Sequence, residues 1–232
     1  MKTEILCERI KLNLDEILRG RQNIRLKADH SYVSDGDLFV QALVYQWIIE
    51  FYPNHSLISE ELETNRCEWD SDGNYVVLDP IDGTENFISG LKEWGVGVSV
   101  YTSGQHTESC IYLPELDEIQ ITGMSFKKYK SRIVGLSSSL NQNDLLSINW
   151  EKGYEYRIIG CAMYNLLMVV RGSYHAFENV KGVNCWDVLP GLNLAIEAGV
   201  PSWVNGVPYN GEILFPNQKY KVKLKNEGAC ND

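Results

Sequence analysis

The chain has 232 residues, with 21 Lys and Arg against 31 Asp and Glu and a formal charge of −10 at pH 7. Apolar residues make up 44% and charged residues 22%, which excludes a wholly disordered chain and fits one large domain or two small ones sharing an interface. The acid excess argues against a basic nucleic-acid-binding face. A small anionic substrate stays open, because bound cations invert a local field.

The first twenty residues carry charge every few positions and do not read as a secretory signal. The most apolar internal run, 162–170, contains Asn165, ends at Arg171 and is far too short to cross a bilayer. The six cysteines (Cys7, Cys67, Cys110, Cys161, Cys185 and Cys230) form no Cys-x-x-Cys pair and read as reduced, mostly buried thiols of a cytoplasmic protein. The four histidines lack zinc-type spacing. Gly95-x-Gly97 meets Val100 where a dinucleotide fingerprint needs glycine, and Gly135-x-Ser137 meets Ser139 where a nucleophile elbow needs it. Residues 70–74 faintly suggest a calcium loop, but Tyr75 stands where glycine belongs, and a turn between strands is the better reading.

In chain order, Ile10, Leu14, Ile17 and Leu18 predict one amphipathic helix ended by Gly20. A second helix is expected over 37–52, stopped by Pro53. Strands at 56–59, 75–79, 96–101, 109–113 and 118–122 suggest a largely antiparallel sheet. Residues 126–132 read as an inter-domain link. Beyond it come a strand at 133–136, a helix over 140–149, a strand at 156–159, a helix over 162–170, a short strand near 176–178 and a helix over 187–198. Asp187 reads as the N-cap of that last helix, with Pro190 in its first turn and Gly199 after its end. Trp203 to Val207 reads as a hairpin with an Asn-Gly turn. The whole is a mixed α/β layered protein.

The informative segment is Asp79-Pro80-Ile81-Asp82-Gly83-Thr84, where an apolar strand ends in a carboxylate and a tight turn brings a second three residues later. Two such acids in one site repel, and a hard divalent cation resolves the conflict. The Ile81 carbonyl would point into the same turn. Gly83 and Thr84 would open a short helix over 84–88, whose N–H groups favour an anion such as phosphate. Glu60-Glu61 also follow an apolar run, and Asp37 starts the second helix.

Taken together, Asp37, Glu60-Glu61, the 79–84 motif, Glu93-Trp94-Gly95-Val96-Gly97-Val98-Ser99 and Trp186-Asp187-Val188-Leu189-Pro190-Gly191 resemble the inositol monophosphatase superfamily of magnesium-dependent, lithium-sensitive phosphatases. The five fixed positions of the central motif would recur by chance in on the order of one chain in 10⁴. The resemblance implies an α/β (α+β) fold, a layered αβαβα sandwich. Its two sub-domains would be 1–130, with most metal ligands, and 131–232, with Asp187 and the substrate rim.

The resemblance further implies two or three Mg²⁺ ions. Glu60, Asp79 and the Ile81 carbonyl would hold the first, and Asp79, Asp82 and Asp187 the second. Glu60 would help place a third ion or the nucleophilic water. Thr84 would hydrogen-bond that water and pass its proton towards Asp37. Asp82, Gly83 and Thr84 would face the phosphate, with Asp187 near the leaving group. Ala162 falls in a segment, 160–162, that resembles the family's substrate loop. The polyol-binding acid aligns with Asn179 or, with a one-residue slip, Glu178, and His175 stands where an Asp is common.

The expected activity is hydrolysis of a small polyol or sugar phosphomonoester. A 3′(2′),5′-bisphosphate nucleotidase, faintly suggested by Lys27-Ala28-Asp29-His30-Ser31, and a fructose-1,6-bisphosphatase are alternatives, as is a non-catalytic metal- and phosphate-binding relative. The expected partner is a small phosphorylated metabolite, with no nucleic acid or membrane, and a homodimer is implied by resemblance alone.

Overall fold

The structure is a computed structural model that describes residues 1–28, 30–62, 69–125 and 129–226. Cys67, Cys230, Asp29 and the 126–128 part of the expected link lie outside the described residues.

The N-terminal helical stretch is two helices, α1 (Lys2–Leu12) and α2 (Leu14–Gly20), where the apolar spacing predicted one. Asn13 makes the break: its backbone N–H bonds Arg9 and Ile10, and its side-chain amide donates to the Arg9 carbonyl at 2.8 Å. A short hairpin, β1 (Ile24–Leu26) and β2 (Tyr32–Ser34), then leads into α3 (Asp35–Phe51).

Strands β3 (Ser56–Ser59), β4 (Tyr75–Asp82), β5 (Gly95–Thr102), β6 (Gln105–Leu113) and β7 (Glu118–Ile121) form a sheet in that order. It is antiparallel except for β3 and β4, which run parallel. The short helix α4 (Thr84–Ile88) follows β4. A second sheet takes β8 (Ile133–Leu136), β9 (Glu155–Ile158), β10 (Ala176–Val183), β11 (Ser202–Val204), β12 (Val207–Pro208) and β13 (Tyr220–Lys225) in the order β12-β11-β13-β10-β8-β9. The hairpin between β11 and β12 turns through Asn205 (φ 51°) and Gly206 (φ 81°), as the Asn-Gly pair requires.

Three helical layers enclose the two sheets, giving the αβαβα order. Helices α1 to α3 cover the outer face of the first sheet, where Val40, Val44 and Trp47 pack against Val76, Leu78 and Val98. Helices α6 (Ala162–Val170) and α7 (Cys185–Glu197) fill the middle, burying Met163, Leu166 and Leu189 in one cluster with Val77 of β4 and Phe177 of β10. Helix α5 (Gln142–Ser147) lies against β10. Because β4 is buried on both faces, its first four residues, Tyr75 to Leu78, read as an unbroken apolar run rather than an alternation. Each such aliphatic side chain contributes ~1.5–3 kcal/mol.

The Gly-Val-Gly-Val run of β5 has a packing role. A Cβ at Gly97 would sit 2.4 Å from Met163 Sδ and 3.0 Å from Pro190 Cγ, and one at Gly191 would sit 2.5 Å from Leu166 Cβ. The two middle helices thus rest directly on backbone. A buried network fixes α7 lengthwise: Asn193 Nδ2 donates to Tyr101 Oη at 2.9 Å, and Tyr209 Oη donates to Asn193 Oδ1 at 2.9 Å. Helix α7 starts earlier than expected. Asn184 is its N-cap, Asp187 its third residue, and Pro190 lies inside the helix rather than in its first turn. Among the described residues, no helix is long and apolar enough to cross a membrane.

Candidate active site

The chain delivers its acids to one place by ending elements there. Strand β3 stops at Ser59, whose hydroxyl donates to Gln41 Oε1 on α3 at 2.7 Å, and Glu60 and Glu61 follow. The neighbouring β4 ends in Asp79 and Asp82, and its pairing with β5 shifts register between those two residues. A bulge of this kind re-aims side chains at the end of a strand. Gly83 turns the chain into α4 with φ 82°, and a Cβ there would lie 3.0 Å from Cys161 Cβ, so glycine alone suits the position.

The result is a cleft of about 480 Å³ lined by Glu60, Asp79, Ile81, Asp82, Gly83, Thr84, Ala162 and Asp187 among others. One oxygen from each of Glu60, Asp79 and Asp187 falls within 4.8 Å of the others. Both carboxylate oxygens of Asp79 are buried without a hydrogen-bond partner among the described residues, a costly arrangement for a bare acid. An all-oxygen donor set of this kind fits a hard divalent cation, and these residues would hold it.

Asp82 is braced by the start of α6. Its Oδ2 accepts from Met163 N at 2.5 Å and from Cys161 Sγ at 2.9 Å. Thr84 Oγ1 donates to the Ile81 carbonyl at 3.0 Å. Asp187 accepts from Asn184 N at 2.8 Å. The crowded acids raise one another. Burial, then Glu60 and its neighbouring carboxylates, pushes Asp79 well above the ordinary carboxylate range. Burial pushes Asp82 up to about 6 against the opposing hydrogen bonds from Cys161 and Met163. Burial and the charges of Glu60 and Asp82 push Asp187 up to about 8.

Two expected residues lie outside the lining of the cleft. Asp37 does not line the cleft. It is fully buried at the third position of α3, where its Oδ2 accepts from Ser34 N at 2.8 Å and Ser34 Oγ at 2.6 Å. Ser34, not Asp37, is the N-cap. Burial raises Asp37 to about 7, with the Ser34 hydrogen bonds opposing and Glu61 and Glu60 adding to the rise. Glu178 faces out of the cleft and pairs with Lys223 at 3.5 Å, whereas its neighbour Asn179 lines the cleft. Alternation along β10 sends the two neighbouring side chains to opposite faces of the sheet.

Sequence reasoning missed four contributors. Lys27 Nζ donates to Glu60 Oε1 at 2.8 Å and Glu61 Oε1 at 2.9 Å. Burial alone would lower this ammonium, but the two carboxylates outweigh it and hold it above its ordinary value. The adjacent acids Glu60-Glu61 were the available signal, since half-buried like charges need a counter-charge. Cys161 was read as part of a loop, not as a donor to Asp82. Ser137 Oγ and Asn165 Oδ1, both buried without a partner among the described residues, also line the cleft, and nothing in their local sequence marks them.

Comparisons with known proteins bear on the fold and the family. A fructose-1,6-bisphosphatase/inositol-1-monophosphatase of Aquifex aeolicus is 24% identical over 220 residues, covering 86% of this chain and 82% of that protein. The Nus factor SuhB of Escherichia coli strain K12 is 26% identical over 226 residues, covering 86% and 84%. The fold matches the crystal structure of an IMPase/NADP phosphatase complexed with Mg²⁺ and phosphate, with a TM-score of 0.78 at 17% identity over 96% of this chain and 88% of that one. The model of the inositol monophosphatase family matches residues 3–232, and the chain belongs to that family.

Proposed function

We propose that the protein is a Mg²⁺-dependent phosphatase that hydrolyses a small polyol or sugar phosphomonoester. The observation that carries this reading is the convergence of Glu60, Asp79 and Asp187 oxygens within 4.8 Å, with both Asp79 oxygens unpartnered among the described residues. Mg²⁺ held by Glu60, Asp79, the Ile81 carbonyl, Asp82 and Asp187 would polarise the phosphate and acidify a water at neutral pH.

The chain's own groups do the rest. Thr84 orients the attacking water and passes its proton towards Asp37, which is buried behind the cleft lining and raised to about 7, near the range a general base needs at neutral pH. Backbone N–H groups of Gly83 and Thr84 hold phosphate oxygens. Ala162 and Asp187 face the leaving group. Because water attacks directly, no side-chain nucleophile is required. Lithium sensitivity, a homodimeric assembly and a cytoplasmic setting accompany the reading on family grounds.

The test is phosphate release from a panel of inositol 1-phosphate, fructose 1,6-bisphosphate and adenosine 3′,5′-bisphosphate, with Mg²⁺ and with EDTA. Release that needs Mg²⁺ supports the reading, and the preferred ester separates its substrate variants. A second reading, a non-catalytic binder of metal and phosphate, draws on relatives whose name, Nus factor SuhB, states no hydrolytic reaction. Tight ester binding without turnover would favour it.

A further inference from the structure

Helix α1 lies along β6 and is fastened at both ends. At its start, Thr3 N and Thr3 Oγ1 donate to Glu108 Oε2 at 3.1 and 2.9 Å. At its end, Lys11 Nζ donates to Asp117 Oδ1, between β6 and β7, at 2.6 Å. Between these points the two elements keep step. Four residues of helix advance about 6 Å, and two residues of strand advance about 6.8 Å. Cys7, four residues after Thr3, therefore stands over Cys110, two residues after Glu108. The alternation of β6 agrees: Cys110 and Tyr112 share a buried cluster with Cys7, whereas Ile111 and Leu113 face the cluster between the sheets.

The two sulfurs meet there. Both are free thiols, 3% and 1% exposed, and the Cys7 thiol donates a hydrogen bond to Cys110. Neither lines the cleft. The other two described cysteines, Cys161 and Cys185, belong to the cluster between the sheets. Two thiols in contact, one on a helix and one on the strand beneath it, are the arrangement that a single covalent bond converts into a staple.

We infer that Cys7 and Cys110 form an oxidative modification site, a dithiol that closes to a disulfide and staples α1 to the first sheet. The loop so closed contains Lys27, Asp37, Glu60, Asp79 and Asp82. It therefore ties down the half of the chain that supplies most acids of the site. A cross-link acts mainly by restricting the unfolded chain, and more so for a long loop. The oxidant is a low-molecular-weight disulfide. One protein thiolate attacks a sulfur of that disulfide, whose S–S bond breaks and releases a small thiolate. The second protein thiolate attacks the protein sulfur of the mixed disulfide, forming the Cys7–Cys110 bond and expelling the second small thiolate. Two electrons pass to the small disulfide, and the two protein thiol protons end on its two thiols. The bond to Cys110 and burial hold the Cys7 thiol well above its ordinary range. Exchange therefore runs through local opening of α1.

The experiment incubates the folded full chain with oxidised glutathione, blocks remaining thiols with N-ethylmaleimide and maps the peptides by mass spectrometry. The expected product is a Cys7–Cys110 link that dithiothreitol reverses. Its Tm should exceed that of the reduced protein by roughly 5–15 °C. Cys7→Ser should form no such link and show no change of Tm on oxidation. Cys7→Ala serves as the second variant if the serine protein lacks a cooperative transition. The parent's own reduced and oxidised forms carry the comparison in either case. Thiols that stay reduced in the folded protein, glutathione left on one cysteine, a link elsewhere in its place, or a linked form no more stable than the reduced one would overturn the inference.

Discussion

Asp37 and Asp187 occupy the same third position of their helices, and each returns a carboxylate oxygen to the backbone N–H of its own N-cap residue at 2.8 Å. The capping box immobilises one oxygen of each acid at the positive end of a helix. Asp37 Oδ1 remains buried and unpartnered among the described residues. Local helix chemistry thereby presets the orientation of both acids. Ser34→Ala removes both the cap and the hydroxyl bond to Asp37. It should cost about 1 kcal/mol, lowering Tm by roughly 2–4 °C for a chain of this size. Because the Ser34 bonds oppose the rise in the Asp37 pKa, the acid limb of the pH–rate profile should move to higher pH. A profile that does not move would remove Asp37 from the proton path.

The metal-free protein should lose stability as pH rises. In the fold Asp82, Asp37 and Asp187 titrate near 6, 7 and 8, against an ordinary value of 3.8. Below pH 3.8 each is protonated whether folded or unfolded and contributes nothing. Between 3.8 and 8 the unfolded chain ionises freely and the fold resists, so unfolding gains ground through that window. Thermal scans in EDTA should show Tm falling by several degrees between pH 5 and pH 8. The increment that Mg²⁺ adds should grow over the same range, since binding requires the ionised acids. A metal-free Tm that is flat or rising would show that the acids are not held together as described.

Asp79→Asn should separate stability from function. It removes an acid whose ionised form burial and four neighbouring carboxylates disfavour. The metal-free variant should be more stable than the parent by ~1–3 kcal/mol, in keeping with the strain stored at functional sites. Denaturant unfolding in EDTA measures the difference. An equally or less stable variant would contradict the crowding of charge in the cleft.

Gly191 is the point where the two middle helices touch. Its missing Cβ would press on Leu166 Cβ at 2.5 Å, and a side-chain Cβ cannot swing away as a chain end can. Gly191→Val should cost ~1–3 kcal/mol by overpacking. It lies one turn after Asp187 on α7, while α6 begins with the residues that brace Asp82. Mg²⁺ affinity, followed by calorimetry, should therefore fall together with Tm. A variant with normal affinity would mean that the helix contact does not set the spacing of the two acids.

Much of this was legible in the chain. The turn at Pro80 and Gly83 marked Asp79 and Asp82, and the runs of β4 and β5 marked a buried sheet. What escaped depended on long-range placement or on weak local pattern. The β1–β2 hairpin is three residues a side with β1 exposed throughout, so no periodicity announced it. Yet that hairpin carries Lys27 to Glu60 and Glu61. Asn13 split a helix whose apolar spacing runs straight through the break, because spacing does not register a side chain bonding its own backbone. Strand β13 alternates lysine with buried Tyr220, Val222 and Leu224, a pattern that periodicity can find and that the C-terminal reading passed over. Asp187 was taken for a cap because Asp caps well, and the earlier Asn184 caps equally well.

The most direct measurement is phosphate release from the preferred ester as Mg²⁺ is titrated into metal-free parent protein and into Asp79→Asn. The account predicts activity that rises from zero with Mg²⁺ in the parent and stays at least about a thousandfold lower in the variant at every Mg²⁺ concentration. Hydrolysis in the parent that persists in EDTA, or an Asp79→Asn variant of parental activity, would contradict it.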